Sequence, residues 1–221
     1  RGLMLTAFHE PGFAAPIGDA HIMPMRKFAL VAEAVRGLPG VRIESPEAVA
    51  GSDLLRVHAA AYVEAVRTGD PRALAESQRF PWSPALFPSV LRTNGGVVAA
   101  AGRALDEGVS ACIASGFHHA GYDHGEGFCT FNGLVLAGEM LRSSGRVRRV
   151  AVLDMDLHYG NGTAGLAASR PWLFAVSVYG NDYRDNIPYR DVEVRRHEDG
   201  PNHVSFALPN GSGGCALFDA L

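Results

Sequence analysis

The sequence contains few cysteines and no long uninterrupted apolar run. Its three cysteines, Cys112, Cys129 and Cys215, are widely separated and odd in number, which argues against a disulfide framework and for a reducing compartment. No apolar stretch approaches the roughly 18 residues that a membrane span requires, and no signal peptide is recognisable. The sequence therefore predicts a cytoplasmic protein that has no membrane partner.

A strong excess of charge is also lacking. The formal net charge is −3 and the isoelectric point is near 6.3. The densest basic stretch, "RSSGRVRR" at 142–149, is typical of a solvated helix end. Binding to nucleic acid through phosphate neutralisation is therefore disfavoured. Hydrophobic residues make up 47% of the chain and charged residues 19%, so a sizeable core is expected rather than disorder.

Apolar segments with the length of strands alternate with segments of helical periodicity. Strands are predicted at 2–8, 41–46, 110–115, 148–156, 171–180 and 203–209. Helices are predicted at 25–38, 52–70, 91–108 and 133–145, with a proline-punctuated loop at 80–90. This alternation predicts an α/β fold with a parallel sheet. No repeat or linker divides the chain, so residues 1–221 are expected to form one domain.

Asp154, Asp156 and His158 alternate at the end of an apolar stretch, "RRVAVLDMD". Residues two apart in an extended chain point to the same side, so the carboxylate at 156 and the imidazole at 158 are placed to bind one divalent ion. Zinc accepts this mixture of donors, and a catalytic zinc takes three protein ligands and keeps one position open. The alternative is an acidic strand end that caps the next helix, and a lone D-x-H motif favours that alternative.

A hydrolytic metal site also needs groups that move protons. A water that attacks a carbonyl must lose a proton, and the leaving group must gain one. His118 and His119 are adjacent on a turn, and they suit both roles when a carboxylate or an amide orients each ring. Asp154 is the natural partner of His118, and Asn161 is a weaker partner for His119. Taken alone, the pair is equally consistent with a loop whose histidines only fill hydrogen-bonding needs.

The surroundings of the histidine pair are less specific. Gly127 and Phe128 are expected to form a narrow aromatic wall, and Glu126 is expected to be a solvated acid. Cys129 is expected to be a small buried filler, because no base that would activate it as a nucleophile is evident. His58 is expected to be packed inside the protein. The remaining histidines are expected on loops or at the rim of the pocket: His9, His21, His124, His197 and His203.

Three motifs together resemble the histone deacetylase superfamily: "SGFHHA", "GEGFCTFN" and "VLDMDLHYGNGTA". Two further stretches, "DAHIMPMRKFALV" and "LLRVHAAAYVEAVRTG", look like its bacterial and class IV branch, which is related to acetylpolyamine amidohydrolases and acetoin-utilisation proteins. The resemblance runs in order along nearly the whole chain. It implies an arginase/deacetylase-like three-layer α/β/α sandwich with a central parallel sheet.

The resemblance also assigns roles by motif. It implies one zinc per chain bound by Asp156 and His158, with ferrous iron as the alternative metal. His118 and His119 match the tandem catalytic histidines, and His119 is the expected general base and acid. The other matches are Asp154 as the partner of His118, Asp154 and Ser177 at a structural potassium site, Asn161 beside His119, and Gly127 and Phe128 in the wall of the substrate tube.

The final part of the family pattern is not matched. In the family, an aspartate on a later segment supplies the third zinc ligand, and a later tyrosine polarises the substrate carbonyl. Asp219, at an expected helix start, does not fit that ligand motif. The C-terminal strands of the sheet are therefore expected to be missing. The visible chain is expected to have little activity alone and to rely on a missing C-terminal segment or on another copy of itself.

The favoured hypothesis is a zinc-dependent deacylase that hydrolyses an N-acyl amide of lysine or of a polyamine-like amine through a metal-activated water. One alternative is a non-catalytic deacetylase-like binding protein. Another is an arginase-type ureohydrolase with two manganese ions, although Tyr159 and Gly160 stand where further acidic ligands would be needed. The expected partner is an acylated amine, with no nucleic acid.

Overall fold

The described residues form two parallel β-sheets packed with helices. A computed structural model describes residues 4–18, 20–181, 187–190 and 199–219. The strands are β1 (Leu5–Phe8), β2 (Val41–Glu44), β3 (Ser110–Cys112), β4 (Val150–Asp154), β5 (Leu173–Tyr179) and β6 (His203–Ala207). The α-helices are α1 (Lys27–Arg36), α2 (Ala60–Thr68), α3 (Arg72–Ala75), α4 (Leu86–Glu107), α5 (Gly133–Ser143), α6 (Asn161–Ala167) and α7 (Gly214–Asp219). Two 3₁₀ helices lie at Pro11–Phe13 and Asp53–Arg56.

All strand pairs in the two sheets are parallel. The first sheet has the order β2-β1-β3 and the second the order β4-β5-β6. Asp154 at the end of β4 is paired in register with Ser177 of β5. The prediction of an α/β fold with parallel strands is therefore confirmed. Because ligands bind at the carboxyl ends of parallel strands, the loops after β3 and β4 are candidate positions for a functional site.

Helix α4 begins earlier than the sequence predicted. The segment 80–90 was expected to be a loop, but the helix starts at Leu86 and includes Pro88 in its first turn. A proline is tolerated there because the first N–H groups of a helix have no partner within the helix. Residues 80–85 are therefore the loop that was predicted, and only 86–90 belong to the helix.

The helix predicted at 52–70 is interrupted. It divides into the 3₁₀ helix Asp53–Arg56 and helix α2, with a break before Ala60. The backbone N–H of Ala59 donates to the carbonyl of Tyr122, at 2.8 Å, instead of to its own helix. A contact between distant parts of the chain thus replaces the local hydrogen bond that periodicity predicts.

Strand β4 ends at Asp154, two residues before the predicted end. The Asp154 carboxylate accepts the N–H of Asp156 at 3.0 Å, and the Asp156 carboxylate accepts the N–H of His158 at 2.8 Å. These side-chain turns replace the hydrogen bonds of a continuing strand. The extended geometry assumed for residues 154–158 is therefore wrong.

Two short helices also differ from expectation. The glycines of the "YGNGT" stretch are typical of a tight turn, but helix α6 begins within it at Asn161. Gly162 allows α6 to pack closely on the histidine loop, because a Cβ there would lie 2.4 Å from the carbonyl oxygen of Ala120. Asp219 is the last residue of α7 rather than near its start.

A hydrophobic cluster links the second sheet to the helices. Its fully buried members include Tyr62 of α2, Leu86 of α4, Leu136 of α5 and Leu173 of β5. One cluster thus joins residues that are far apart in the chain, and the single domain over 1–221 stays a prediction. No helix in the described part of the chain is both long and apolar enough to cross a membrane.

Candidate active site

The loop after β3 holds two buried histidines side by side. His118 is 8% exposed and His119 is 3% exposed, and their ring centroids are 4.0 Å apart. The carbonyl of His118 accepts the backbone N–H of Thr163 in α6 at 2.9 Å. The loop is thereby fixed against α6, the helix that begins within the "VLDMDLHYGNGTA" motif.

His118 is oriented by a carboxylate at the end of β4. Its Nδ1 lies 2.6 Å from Oδ2 of Asp154, the contact that the sequence predicted. Gly160 is needed beside this pair, because a Cβ there would lie 2.3 Å from the same Asp154 oxygen. The "YGNG" stretch therefore contains a glycine where a side chain would displace the carboxylate.

His119 is oriented by an amide. Its Nδ1 lies 2.6 Å from Oδ1 of Asn161, the first residue of α6. The Asn161 Nδ2 donates in turn to Oε2 of Glu126. The expectation of a solvated Glu126 is therefore wrong, since its side chain is 18% exposed and accepts a hydrogen bond from a residue of the site.

Burial keeps His119 uncharged at neutral pH. Desolvation, helped by the neighbouring His118, lowers the pKa of His119 to about 4, although the hydrogen bond with Asn161 acts in the opposite direction. A neutral imidazole is a proton acceptor, and that state is required of a general base.

Asp156 and His158 lie side by side on the loop after β4. The His158 Nδ1 lies 3.1 Å from Oδ1 of Asp156, and the His118 Nε2 lies 3.8 Å from the same oxygen. Burial alone would raise the pKa of the Asp156 carboxyl, but the His158 N–H and the two imidazoles leave it below its ordinary value. The carboxylate is therefore ionised and available as a ligand.

The pair fits two positions of a zinc site. One carboxylate oxygen and one imidazole nitrogen are donors that zinc takes, and a catalytic zinc takes three protein ligands. The residues that the structure describes contain no group of three or more His, Cys, Asp or Glu side chains arranged to hold a metal. The described part of the chain thus brings together the two residues predicted as ligands, and both their role and the zinc itself stay predictions.

The residues predicted for a potassium site are close together but already bonded. Asp154 and Ser177 are register partners on adjacent strands. The carboxylate of Asp154 interacts with His118 and with the N–H of Asp156, and the Ser177 hydroxyl accepts the N–H of Gly160 at 3.3 Å. Their role as cation ligands also stays a prediction.

A mostly apolar cavity of about 410 Å³ opens onto these groups. His118, His119, Asp156 and His158 all line it, and so does Phe128. The rings of Phe80 and Phe128 are stacked, with centroids 5.7 Å apart and planes at 20°. Three further phenylalanines line the cavity: Phe117, which directly precedes His118, and Phe13 and Phe28 from distant parts of the sequence.

Gly127 is required by the packing of His119. Its φ is +52°, and a Cβ on it would lie 2.2 Å from Cδ2 of His119. Gly127 and Phe128 both line the cavity, as a wall formed by these residues requires. The sequence did not identify the other aromatic residues of the wall, because nothing in their spacing indicates that they meet.

The remaining site candidates are structural. Cys129 is 4% exposed, and burial raises the pKa of its thiol to about 12, so it is a buried filler as expected. His58 is buried as expected, at 2% exposed. His9 lies on the loop after β1 as expected, although it is buried, whereas His203 lies in β6 and is not the loop or rim residue that was expected. His21 contacts Phe128 at the cavity edge, and His197 lies outside the described residues.

Comparison with known proteins gives consistent matches. The sequence profile of the histone deacetylase domain matches residues 21–219. A probable deacetylase of Methanothermobacter thermautotrophicus is 27% identical over 179 residues, which are 79% of this chain and 54% of that protein. Acetylpolyamine amidohydrolase 1 of Pseudomonas aeruginosa is 35% identical over 99 residues, which are 43% of this chain and 28% of that protein.

A solved structure shows the same fold. The crystal structure of the HDA15 HD domain matches with a TM-score of 0.74 at 18% identity, over 95% of this chain and 64% of that one. The chain thus spans about half the length of the first of these relatives. Because the domain profile extends over residues 21–219, the chain belongs to the histone deacetylase family.

Proposed function

We propose that this chain carries the acid–base groups and two metal ligands of a deacylase that hydrolyses N-acyl amides of amines. The observation that supports it most strongly is that His118, His119, Asp156 and His158 all line one mostly apolar cavity. The relatives named as a probable deacetylase and an acetylpolyamine amidohydrolase support the same class of reaction.

His119 is the proton carrier in this proposal. Its Nδ1 is turned toward Asn161 Oδ1, so Nε2 is the basic nitrogen. Nε2 accepts a proton from the attacking water and returns it to the departing amine. His118, paired with Asp154, stabilises the charge that forms next to it and holds the second ring in place.

Asp156 and His158 are the proposed zinc ligands, with a third ligand from outside the described residues. When bound, zinc polarises the acyl carbonyl and makes a water acidic enough to react at neutral pH. The apolar cavity excludes water and accepts the acyl group and the methylene chain of the amine, with Phe128 and Phe80 along its wall.

The test uses the complete protein that contains this chain. Metal content is measured by elemental analysis, and turnover is measured with an acetyl-lysine peptide and with N-acetylputrescine. We expect Asp156→Ala to lose both metal and turnover, and His119→Gln to keep the metal while kcat falls about 10²–10⁴-fold. Asp123→Ala, which removes an exposed carboxylate whose ion-pair partner among the described residues is His124, is the control and keeps both.

Two results would contradict the proposal. If Asp156→Ala retained full metal content and turnover, the carboxylate would not be a ligand. If each chain held two manganese ions and hydrolysed a guanidinium substrate, the protein would be a ureohydrolase instead. Full zinc occupancy without turnover of any N-acyl amide would favour the non-catalytic binding protein.

A further inference from the structure

We propose that Glu126 is a positioning residue that fixes which face of the Asn161 amide meets His119, and thereby which His119 nitrogen carries the proton. The kinetic consequence of this inference rests on the proposed deacylase function, whereas the effect on the tautomer does not.

The backbone holds Glu126 at a fixed place. Its N–H donates to the carbonyl of Cys129 at 3.1 Å, and its carbonyl accepts the N–H of Cys129 at 2.8 Å. Both main-chain groups of Glu126 are therefore used in one tight turn next to the wall of the cavity. The side chain, 18% exposed, extends from this turn to Nδ2 of Asn161.

The amide of Asn161 has two ends of nearly the same shape and opposite chemistry. Its oxygen only accepts hydrogen bonds and its NH₂ group only donates them, so the partners decide which end faces which way. An ionised carboxylate only accepts. Glu126 therefore binds the NH₂ end, and Oδ1 is left facing His119.

The orientation of the amide then determines the tautomer of His119. Because Oδ1 only accepts, the His119 Nδ1 at 2.6 Å must carry a hydrogen, and in a neutral ring Nε2 then has the lone pair. A flipped amide would present NH₂ to Nδ1 and move the proton to Nε2. That ring could not accept a proton from water at Nε2.

Two other features near this chain of contacts, among the residues that the structure describes, do not favour one orientation of the amide. His119, Asn161 and Glu126 line a second cavity of about 330 Å³. Water in that cavity both donates and accepts, so it binds either end of the amide equally well. The His124 Nε2 lies 4.0 Å from Glu126 Oε2, which is beyond hydrogen-bond distance. A hydrogen-bond acceptor at position 126 therefore favours the orientation in which Oδ1 of Asn161 faces His119.

The tautomer is measured directly by NMR in the complete protein labelled with ¹⁵N at histidine. The His119 signals are identified from their loss in His119→Gln. At a pH where the ring is neutral, we expect the wild type to show a hydrogen on Nδ1. Glu126→Met, similar in length but without an acceptor, is expected to shift His119 toward the other tautomer. Glu126→Gln, which keeps one acceptor oxygen, is expected to restore the wild-type signals.

The three proteins are expected to rank in kcat as they do in the fraction of His119 with a hydrogen on Nδ1. We expect Glu126→Met to lower kcat at least about tenfold with KM nearly unchanged, and Glu126→Gln to recover most of that loss. Glu139→Met is the matched control. Its carboxylate is also largely buried, at 14% exposed, and bonds to Arg142 and Ser143 away from the site, so kcat should not change.

An Asn161→Asp background distinguishes positioning from a general structural role. A carboxylate at 161 has two acceptor oxygens, so it selects the same His119 tautomer whichever way it faces. Glu126 then becomes a repelling neighbour. In this background we expect Glu126→Met to leave the tautomer unchanged and to leave kcat equal or higher.

The inference is overturned if Glu126→Met leaves the wild-type tautomer in place, or if it costs kcat equally in both backgrounds. A tautomer shift in a protein that hydrolyses no N-acyl amide would leave the inference intact and remove the proposed function.

Discussion

At the scale of single residues, the site depends on positions where a side chain is missing. Gly127 and Gly160 have no Cβ, and each leaves room for a functional group: a Cβ would lie 2.2 Å from His119 in one case and 2.3 Å from Asp154 in the other. Approaches this short force the neighbour to move. Because proton transfer requires hydrogen-bond distances, such a movement affects catalysis more than stability.

Gly127→Ala is expected to lower kcat/KM at least about 100-fold, since a displacement of about 1 Å in a catalytic group has that effect. The matched control is Gly145→Ala. Gly145 also has a positive φ, +74°, but a Cβ there meets nothing within 4 Å. Gly145→Ala should therefore lower the unfolding free energy by only about 1 kcal/mol, through backbone strain, and leave kcat/KM unchanged. Steady-state kinetics and urea unfolding separate the two effects. Equal losses of kcat/KM in both variants would contradict the packing argument.

The sequence was sufficient to predict the partners of both histidines. Asp154 lies near the carboxyl end of a predicted parallel strand, and His118 and Asn161 lie on the segments that follow such strands, where ligands bind in parallel α/β folds. The hydrogen bond from Asn161 to Glu126 was not predictable, because it depends on the path of the turn that places Glu126. No periodicity encodes that path.

At the scale of elements, helix ends were predicted less well than strand positions. Short apolar runs located the six strands of the described residues, but α4 began at Leu86 and the helix at 52–70 was divided. In both cases the boundary of the helix was set by something other than the periodicity of its apolar residues. Pro88 occupies a helix position where no N–H is needed, and Ala59 donates its N–H to Tyr122.

His58, next to that interruption, links three elements and makes the fold sensitive to acid. Its Nδ1 lies 2.8 Å from the carbonyl of Gly121, and its Nε2 accepts the N–H of Asn132, the N-cap of α5, at 3.0 Å. Burial lowers the pKa of His58 from 6.5 to about 4. The unfolded chain therefore binds a proton here below about pH 6.5, whereas the folded chain does not until about pH 4.

Stability is therefore lost as the pH falls from about 6.5 to about 4, and the His58 contribution is about 2 kcal/mol between pH 7.5 and pH 5. We expect His58→Gln to reduce the difference in unfolding free energy between these two pH values by about that amount. Tyr62→Phe is the control, because it removes a buried hydrogen bond to the carbonyl of Thr130 and should destabilise equally at both pH values. Urea unfolding provides the measurement, and an unchanged pH dependence in His58→Gln would exclude this histidine as the cause.

At the scale of the whole molecule, one face of the second sheet is apolar and exposed. Leu153 of β4 is 53% exposed, Phe174 of β5 is 42% exposed and Phe206 of β6 is 41% exposed. Register and alternation place the three side chains on the same face. Contiguous apolar patches of this kind are rare on soluble monomers.

The 221-residue chain is therefore expected to bind an apolar dye and to associate as its concentration rises. Phe174→Lys should lower both the fluorescence of the dye and the weight-average mass measured by sedimentation at a given concentration. Leu105→Lys is the control, because Leu105 is similarly exposed, at 46%, but lies on helix α4. If both substitutions had the same effect, the association would not depend on the sheet face.

The hydrogen bond from the backbone of Thr163 to the carbonyl of His118 has a consequence for protein engineering. Because Gly162 also packs directly on the carbonyl of Ala120, the segment with the histidine pair and the segment with α6 fit each other closely. Neither is expected to fit the corresponding segment of another protein. Chimaeras with other relatives should therefore exchange residues 115–132 and 150–163 together. A crossover placed between the two segments should give a protein in which they are misaligned.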